Sequence, residues 1–368
     1  MMAALRSWYD NFRGAGEFSI SVPPMDGALR SNSAIEQAEK LFALREPQNL
    51  IHDGRAGYFS QGAQILRFAD GLAPALLTTC DTPVSALAVQ ADCIAVGLAG
   101  VGLAGGGLRL IGGSHDGRVF APAPDFPINC PVALAFRNAD TLVIANGSSL
   151  HGVDGWRHDL LQRNAAGSVW ELDLRTGKAK ALAQGLSWPY GVLPLADGGV
   201  VVSESWKARL LMLRPGKAVE PVLTDLPAYP ARIVPKASGQ GAWLPLFAPR
   251  RRIVELVMRE PVFRDRMMAE MAPGHWIAPS LRPMESYYEP LQGGTLKKLA
   301  ILKPWAPSRS YGLIVELDAD FQPVRSFHSR ADGTRHGISS CAEVAGRLLI
   351  AATGGDAILS LGPLEAAA

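Results

Sequence analysis

The feature that most constrains how this 368-residue chain can fold is a strand start that recurs six times. Short apolar segments open, mostly behind a proline, at Pro47-Gln-Asn-Leu, Pro83-Val-Ser-Ala-Leu-Ala-Val, Pro131-Val-Ala-Leu-Ala-Phe, Pro189-Tyr-Gly-Val-Leu, Pro230-Ala-Arg-Ile-Val and His336-Gly-Ile-Ser-Ser-Cys. Proline is tolerated at a strand's first residue because the N–H it removes need not join a ladder. Further apolar strands follow each start, among them Gly57-Tyr-Phe-Ser, Thr141-Leu-Val-Ile-Ala145 and Arg347-Leu-Leu-Ile-Ala-Ala352. Six starts over about 290 residues match the period of propeller blades with four strands each. The pattern predicts an all-β, six-bladed β-propeller. Its most regular pair is Gly185-Leu-Ser-Trp-Pro-Tyr-Gly-Val192 and Leu226-Pro-Ala-Tyr-Pro-Ala-Arg-Ile233, which puts Tyr190 and Arg232 at the tips of the repeat, where ligands would stand.

Two stretches depart from the repeat. Residues 1–45 read as a lead-in packing on a propeller that occupies 46–368: strand-like 17–22, a turn at Pro23–Gly27, and a helix over Ala34–Ala43 with Asn32 or Ser33 as N-cap. The interval from Pro230 to His336 is roughly twice the others, and its surplus, about 253–310, has helical spacing. Ile253, Leu256 and Val257 share a face, and Phe263, Met267 and Met271 recur after Pro261, a residue suited to the first helical position. This insertion is expected over one face of the propeller, as an amphipathic helix packed on the rim or as a lid. His275-Trp276 and Tyr287-Tyr288 would line a pocket mouth or fasten the insertion down.

Composition narrows the function. Apolar residues make up 48% of the chain, enough for a large core, and a net charge of +2 gives no reason to expect nucleic acid or an anionic membrane as partner. The densest basic run, Arg250-Arg251-Arg252, reads as a solvated strand end. No apolar stretch is long enough to span a bilayer, and the N-terminus lacks the apolar core of a secretory signal. The chain therefore reads as cytoplasmic, with Cys80, Cys93, Cys130 and Cys341 reduced and lacking the spacing of a zinc site. Gly100-Val-Gly-Leu-Ala-Gly105 matches a dinucleotide fingerprint but runs into the strand-like Gly107–Gly112, so it reads as a glycine-rich hairpin. There is no GxSxG elbow, HExxH pair or DxDxDG loop, and no cofactor is expected. His151, Trp156 and His158 lie in a long polar segment after the strand ending at Asn146, a natural substrate-contacting arm in which a histidine would exchange protons near neutral pH.

From about residue 20 onward, the pieces fall in a recognisable order. Besides the two tip motifs they include Ser203-Glu-Ser-Trp-Lys-Ala-Arg209, Gly312-Leu-Ile-Val-Glu-Leu-Asp318 running into Arg325-Ser-Phe-His328, and Gly337-Ile-Ser-Ser-Cys-Ala-Glu-Val-Ala-Gly-Arg-Leu-Leu-Ile350. In these the chain resembles the strictosidine synthase-like branch of the six-bladed propellers, related to gluconolactonases and senescence-marker-type lactonases. The resemblance implies a small organic substrate at the axial mouth, but the fold carries several chemistries. Related lactonases hold a divalent cation on the axis with a first-blade Glu and later Asn or Asp residues. The matching positions here are Gln48 beside Asn49, then Tyr190, then Ala231-Arg232, and an arginine on the axis repels a divalent cation. No metal is therefore expected, although Asn49, Asn146 and Glu46 would remain as oxygen donors in a shifted alignment. The base of strictosidine synthase, a Glu two residues after a His, corresponds to Ile338 or Ser339 after His336, so the base is absent.

The expectation is thus a hydrolase or lactonase-like enzyme acting on an anionic, carboxylate-bearing substrate without the family metal. Arg232 would stabilise an oxyanion, Tyr190 would donate a hydrogen bond, and His336 or His151 would move the proton. Gln48, Asn49, Asn146, His151, Trp156, Trp188 and Ser339 complete the expected substrate contacts. The alternatives are a strictosidine synthase-like lyase or condensing enzyme with a different base, and a non-catalytic small-molecule-binding propeller. The sequence does not fix an oligomeric state.

Overall fold

The computed structural model describes residues 22–69, 72–100, 106–283 and 308–364, with the backbone of 297–298 and 301–302. All six strand starts become the innermost strands of antiparallel sheets. Blade 1 runs Gln48–His52, Gly57–Gln61, Gln64–Phe68, Ala75–Thr79; blade 2 runs Val84–Gln90, Cys93–Leu98, Gly107–Ile111, Val119–Phe120. Blade 3 comprises Pro131–Asn138, Thr141–Asn146, Gly167–Asp173 and Ala179–Leu186, and blade 4 Pro189–Pro194, Val200–Glu204, Arg209–Leu213 and Glu220–Leu223. Blade 5 is built from Ala228–Pro230, Ala242–Pro249, Leu313–Leu317 and Pro323–His328, with Val234–Pro235 also paired to its second strand. In blade 6, Ile338–Val344, Arg347–Ala352 and Ala357–Leu361 are completed by Glu39–Ala43 from the other end of the chain. The architecture is a six-bladed β-propeller.

That last pairing corrects the reading of residues 34–43 as one helix. Only Ala34–Gln37 is helical, and Glu39–Ala43 is a strand in register with Ala357–Leu361, Glu39 opposite Ser360 and Ala43 opposite Ala357. A short helix is marginal alone, whereas the open edge of blade 6 offers this segment a full set of backbone partners. Ser33 is the N-cap but makes no side-chain cap bond, and Asn32 Oδ1 accepts the Ala34 N–H at 3.1 Å. The same Asn32 bridges to blade 5, accepting from His328 N and donating to Ser326 O. The strand-like 17–22 lies outside the described residues except for Val22, as do 101–105 of the glycine-rich segment and Tyr287-Tyr288.

Apolar faces of neighbouring blades pack on one another all the way round. Ile65 and Ile94 share a cluster between blades 1 and 2, Leu108 and Leu142 between 2 and 3, and Val143 and Val202 between 3 and 4. Val201 and Leu244 join 4 to 5, Ile314 and Ile350 join 5 to 6, and Phe59 and Ile358 close 6 onto 1. The four cysteines are free and buried within these layers. The insertion after blade 5's second strand contains helices Arg252–Val257 and Pro261–Glu270, the latter opened by Pro261. It packs through Val254, Val257, Met267 and Trp276 onto Tyr229 and Phe247. Of the expected stripe, Met267 is buried while Phe263 and Met271 are exposed. The insertion comes down tightly on blade 6: a Cβ at Gly354 would lie 1.8 Å from the Leu281 carbonyl oxygen, so only glycine fits. No described helix is long and apolar enough to cross a membrane.

Candidate functional site

Where the insertion meets the ring, a cavity of about 250 Å³ opens on the axial mouth. The inner strands bring Gln48, Val132 and Tyr190 to its floor, with Trp188 immediately before blade 4's inner strand, because each strand start sits at the ring's centre. Blade 5's second strand adds Phe247, and connections supply the rest: Glu46 and Thr353 around the chain closure, Val153, Asp154, Trp156 and Arg157 after blade 3's second strand, Trp206 after blade 4's second strand, and Ser280–Arg282 from the insertion.

One wall is aromatic. Trp206 stacks on Trp188 at 5.3 Å and on Trp156 at 6.2 Å, while Phe247 presents its ring edge-to-face with Tyr190 at 5.7 Å and Trp156 at 5.8 Å. Polar anchors hold these rings. The Trp206 indole N–H donates to Asp159 Oδ1 at 2.7 Å, and the Ser187 N–H donates to Glu204 Oε1 at 2.7 Å just before Trp188. Trp188 itself has φ of 56°, a left-handed backbone that a bulky residue adopts at a cost. The opposite rim is charged. Arg282 donates to Glu46 Oε1 at 2.9 Å and to Asp356 at 3.0 Å, and these bonds hold its guanidinium protonated beyond its ordinary range. Asp154 stands exposed at the rim, and Arg157 lies over the Trp156 ring.

Arg232 is buried behind this surface. Its Nε donates to Val132 O at 3.0 Å, its Nη2 to Ser85 O at 2.9 Å and its Nη1 to Ser339 O at 3.5 Å. Only the centre of the ring is within reach of blades 2, 3 and 6 at once, so the guanidinium stands on the axis. Its Cζ lies 4.8 Å from the centroid of Tyr190, whose other neighbours line the cavity. Glycine is required at Gly191, where a Cβ would meet Ala231 O at 2.6 Å and Ile233 N at 2.7 Å, and this lets blades 4 and 5 close around Arg232.

Of the residues expected in the site, Gln48, Trp156, Trp188 and Tyr190 line the cavity. Ser339 is one step back, its Oγ 3.3 Å from the Oγ1 of the cavity residue Thr353. His336 is wholly buried away from it, Nδ1 at 2.8 Å from Ser310 Oγ and Nε2 at 2.7 Å from Arg330 O, and burial lowers its affinity for a proton. His151 is stacked on His158 and paired through Nε2 with Gln162 at 2.8 Å. Asn146 is fully buried, accepting from Cys130 N and donating to Ser148 O. Asn49 donates to Ser60 Oγ and Val84 O, leaving its buried Oδ1 without a hydrogen-bond partner. Sequence reasoning did not assign Trp206, Phe247, Asp154, Arg157 or Arg282 to the site. For Trp206 a signal was present, since Ser203-Glu-Ser-Trp206 ends the strand next to the Tyr190 motif.

A divalent cation on the axis does not fit these residues. The inner-strand carbonyls that would help ligate it are engaged by the Arg232 guanidinium, Asn146 Oδ1 already accepts from Cys130 N, and the unpartnered Asn49 Oδ1 by itself does not make a cation site. Among the described residues no three His, Cys, Asp or Glu side chains cluster as metal ligands would.

Fold and site together define a six-bladed propeller with an aromatic-walled cavity at its axial mouth and an arginine plugging the axis beneath. No protein-family model and no curated protein sequence matches the chain. Solved structures share its fold. One is a provisionally assigned gluconolactonase, with a TM-score of 0.52 and 12% identity over 88% of this chain and 92% of that one. Another is a gluconolactonase of Xanthomonas campestris described as important in glucose secondary metabolic pathways, with a TM-score of 0.52 and 14% identity over 92% and 96%.

Proposed function

We propose that the chain is a lactonase-type hydrolase of small, anionic organic substrates, working in the axial cavity without the metal of comparable propellers. The carrying observation is the cavity's division into an aromatic wall, Trp156, Trp188, Trp206 and Phe247, and a charged rim on which Arg157 and Arg282 stand beside Glu46 and Asp154. Such a site holds an apolar ring against the indoles and a carboxylate against guanidinium. The gluconolactonase neighbours share the architecture in which such chemistry is housed. In this reading Tyr190 donates to the carbonyl oxygen as negative charge develops, with the Arg232 cation fixed behind its ring. Asp154 accepts a proton from the attacking water, the ring C–O bond breaks, and the proton passes to the departing alkoxide. Proton transfer goes to Asp154 because both ring nitrogens of His336 are already engaged.

The test is a panel of lactones and esters, with and without a carboxylate, assayed by proton release. Tyr190→Phe should lower kcat about a hundredfold with an unchanged melting temperature, as loss of one oxyanion donor does. Trp188→Ala should mainly raise KM. Saturable binding of carboxylate ligands with no turnover across the panel would overturn the enzymatic reading. It would favour instead a non-catalytic binding propeller, a reading supported by the structural engagement of Arg232 and His336.

A further inference from the structure

We propose that Asp159 is a positioning residue of the axial site: its carboxylate fixes the angle of the Trp206 ring, and with it the aromatic wall against which a ligand's ring lies. The inference rests on the reading of the axial cavity as the substrate site. Asp159 belongs to the six-residue helix Trp156–Leu161 and is wholly buried. It does not line the cavity, so it acts through another side chain. Its Oδ1 accepts the Trp206 indole N–H at 2.7 Å, and its Oδ2 accepts from Asn164 Nδ2 at 3.3 Å. The same Asn164 amide donates to Gln162 Oε1 at 3.1 Å, and that oxygen also meets His151 Nε2 at 2.8 Å. An amide oxygen only accepts, so His151 carries a proton on Nε2, and the network runs unbroken from His151 through Gln162, Asn164 and Asp159 to Trp206.

A carboxylate is a demanding acceptor for one indole, because burying a charge costs far more than burying an amide or a hydroxyl. The buried indoles of Trp170 and Trp276 use neutral acceptors, Ser168 Oγ and Met271 O, while Glu343, which accepts from Trp243, is only half-buried. What the carboxylate adds at Trp206 is a stronger bond with a fixed direction. Direction matters for this ring above the others. It is the middle of the wall, stacked on both Trp188 and Trp156 and edge-on to Tyr229 at 5.9 Å and to Phe247 at 6.4 Å. Apolar burial and dispersion hold such a ring in place but set its angle only weakly, since neither is strongly directional.

Trp156 and Asp159 stand three positions apart on one helical turn and so share a face. That turn presents to Trp206 both a neighbouring wall ring and its polar anchor. Removing the anchor frees Trp206 to turn between Trp156 and Trp188. It leaves Tyr190 and Asp154, the groups assigned to the chemistry, where they are. The loss therefore falls on the binding of a ring-bearing ligand, and on KM rather than kcat.

Two measurements test this, with phenylacetate as the ring-bearing carboxylate. In the free protein, circular dichroism reads the coupling of the stacked indoles. Asp159→Ala should weaken that signal to the level of Trp206→Phe, and Asp159→Asn, which keeps an acceptor for the indole, should restore it. In calorimetric titrations Asp159→Ala should bind phenylacetate about tenfold more weakly than wild type, the scale of one charge-assisted hydrogen bond, with Asp159→Asn recovering most of the loss. In a Trp206→Phe background, Asp159→Ala should change the affinity no further. An equal loss in that background, or an unchanged indole signal in Asp159→Ala, would overturn the proposal. Asp159→Ser, whose oxygen is too short to reach the indole, takes the same part if the alanine variant does not fold. Wild-type protein that does not bind phenylacetate would refute the substrate reading instead, and the free-protein signal would still decide whether Asp159 positions Trp206.

Discussion

His328 is wholly buried in the outer strand of blade 5, with Nε2 2.8 Å from Ser326 Oγ and Nδ1 3.3 Å from the Tyr311 hydroxyl. Desolvation pushes its pKa down to about 4, so the folded protein resists a proton that the unfolded chain accepts near its ordinary value. Stability is then level above about pH 6.5 and falls as the pH drops toward 4, by about 3 kcal/mol in all. His336, shifted the same way by burial, steepens that loss. A His328→Asn variant, compared with wild type by urea midpoint between pH 4 and 7, should show a visibly shallower decline. Parallel profiles for the two proteins would refute this assignment. Residues of this kind are poorly legible from sequence. His336 stood beside a matched motif and read as a catalyst, yet its surroundings, Ser310 and the Arg330 carbonyl, come from loops whose approach no local pattern announces. Tyr190 and Trp188 were legible because their positions follow from the strand start itself.

At the level of elements, the closure of the ring is the part the sequence concealed. The six inner strands announce themselves through proline, small residues and short apolar runs, a signal local to each segment. Glu39–Ala43 has no such signal, since Ile35, Ala38 and Phe42 also suit a helix, and its strand state comes from pairing with residues more than three hundred positions away. The pairing is reinforced by Arg347 with Glu39 at 2.7 Å and by Phe42 edge-on to Phe68 of blade 1 at 5.3 Å. Removing residues 1–43 should therefore bare the Ala357–Leu361 edge and produce a protein that melts several degrees lower and self-associates. Phe42→Ala, which keeps the strand, should cost about 1–2 kcal/mol without association. Thermal melts with size-exclusion chromatography read both, and a truncated protein that stays monomeric with wild-type melting would show that the strand is dispensable. The cavity-forming insertion was legible as helical and as lying over one face, but the part played by Ser280–Arg282 was not, because it depends on the Gly354 contact with Leu281.

Across the whole molecule, Arg232 acts as an axial fastener. It issues from blade 5, donates to inner-strand carbonyls of blades 2, 3 and 6, and lies against Tyr190 of blade 4, so five of six blades meet one side chain. A propeller is otherwise held by contacts between adjacent blades, and a group that spans the ring couples blades that do not touch. Replacing it by methionine keeps the apolar stem but leaves the carbonyls of Ser85 and Val132 buried without this donor, while that of Ser339 keeps the backbone N–H of residue 232. Each such loss is worth about 1–3 kcal/mol, offset in part because a buried charge is also removed. The expected net cost for Arg232→Met is about 2–4 kcal/mol. Arg232→Lys should recover little of it, since an ammonium lacks the planar fork that reaches several carbonyls at once. Hydrogen exchange separates this role from ordinary core packing. The inner-strand amides Val84–Gln90, Pro131–Asn138 and Ile338–Val344 should lose protection together in Arg232→Met, although the substitution lies in none of them. If the loss is confined to blade 5 and its neighbours 4 and 6, Arg232 is a local packing residue, and the ring is held by its blade-to-blade contacts alone.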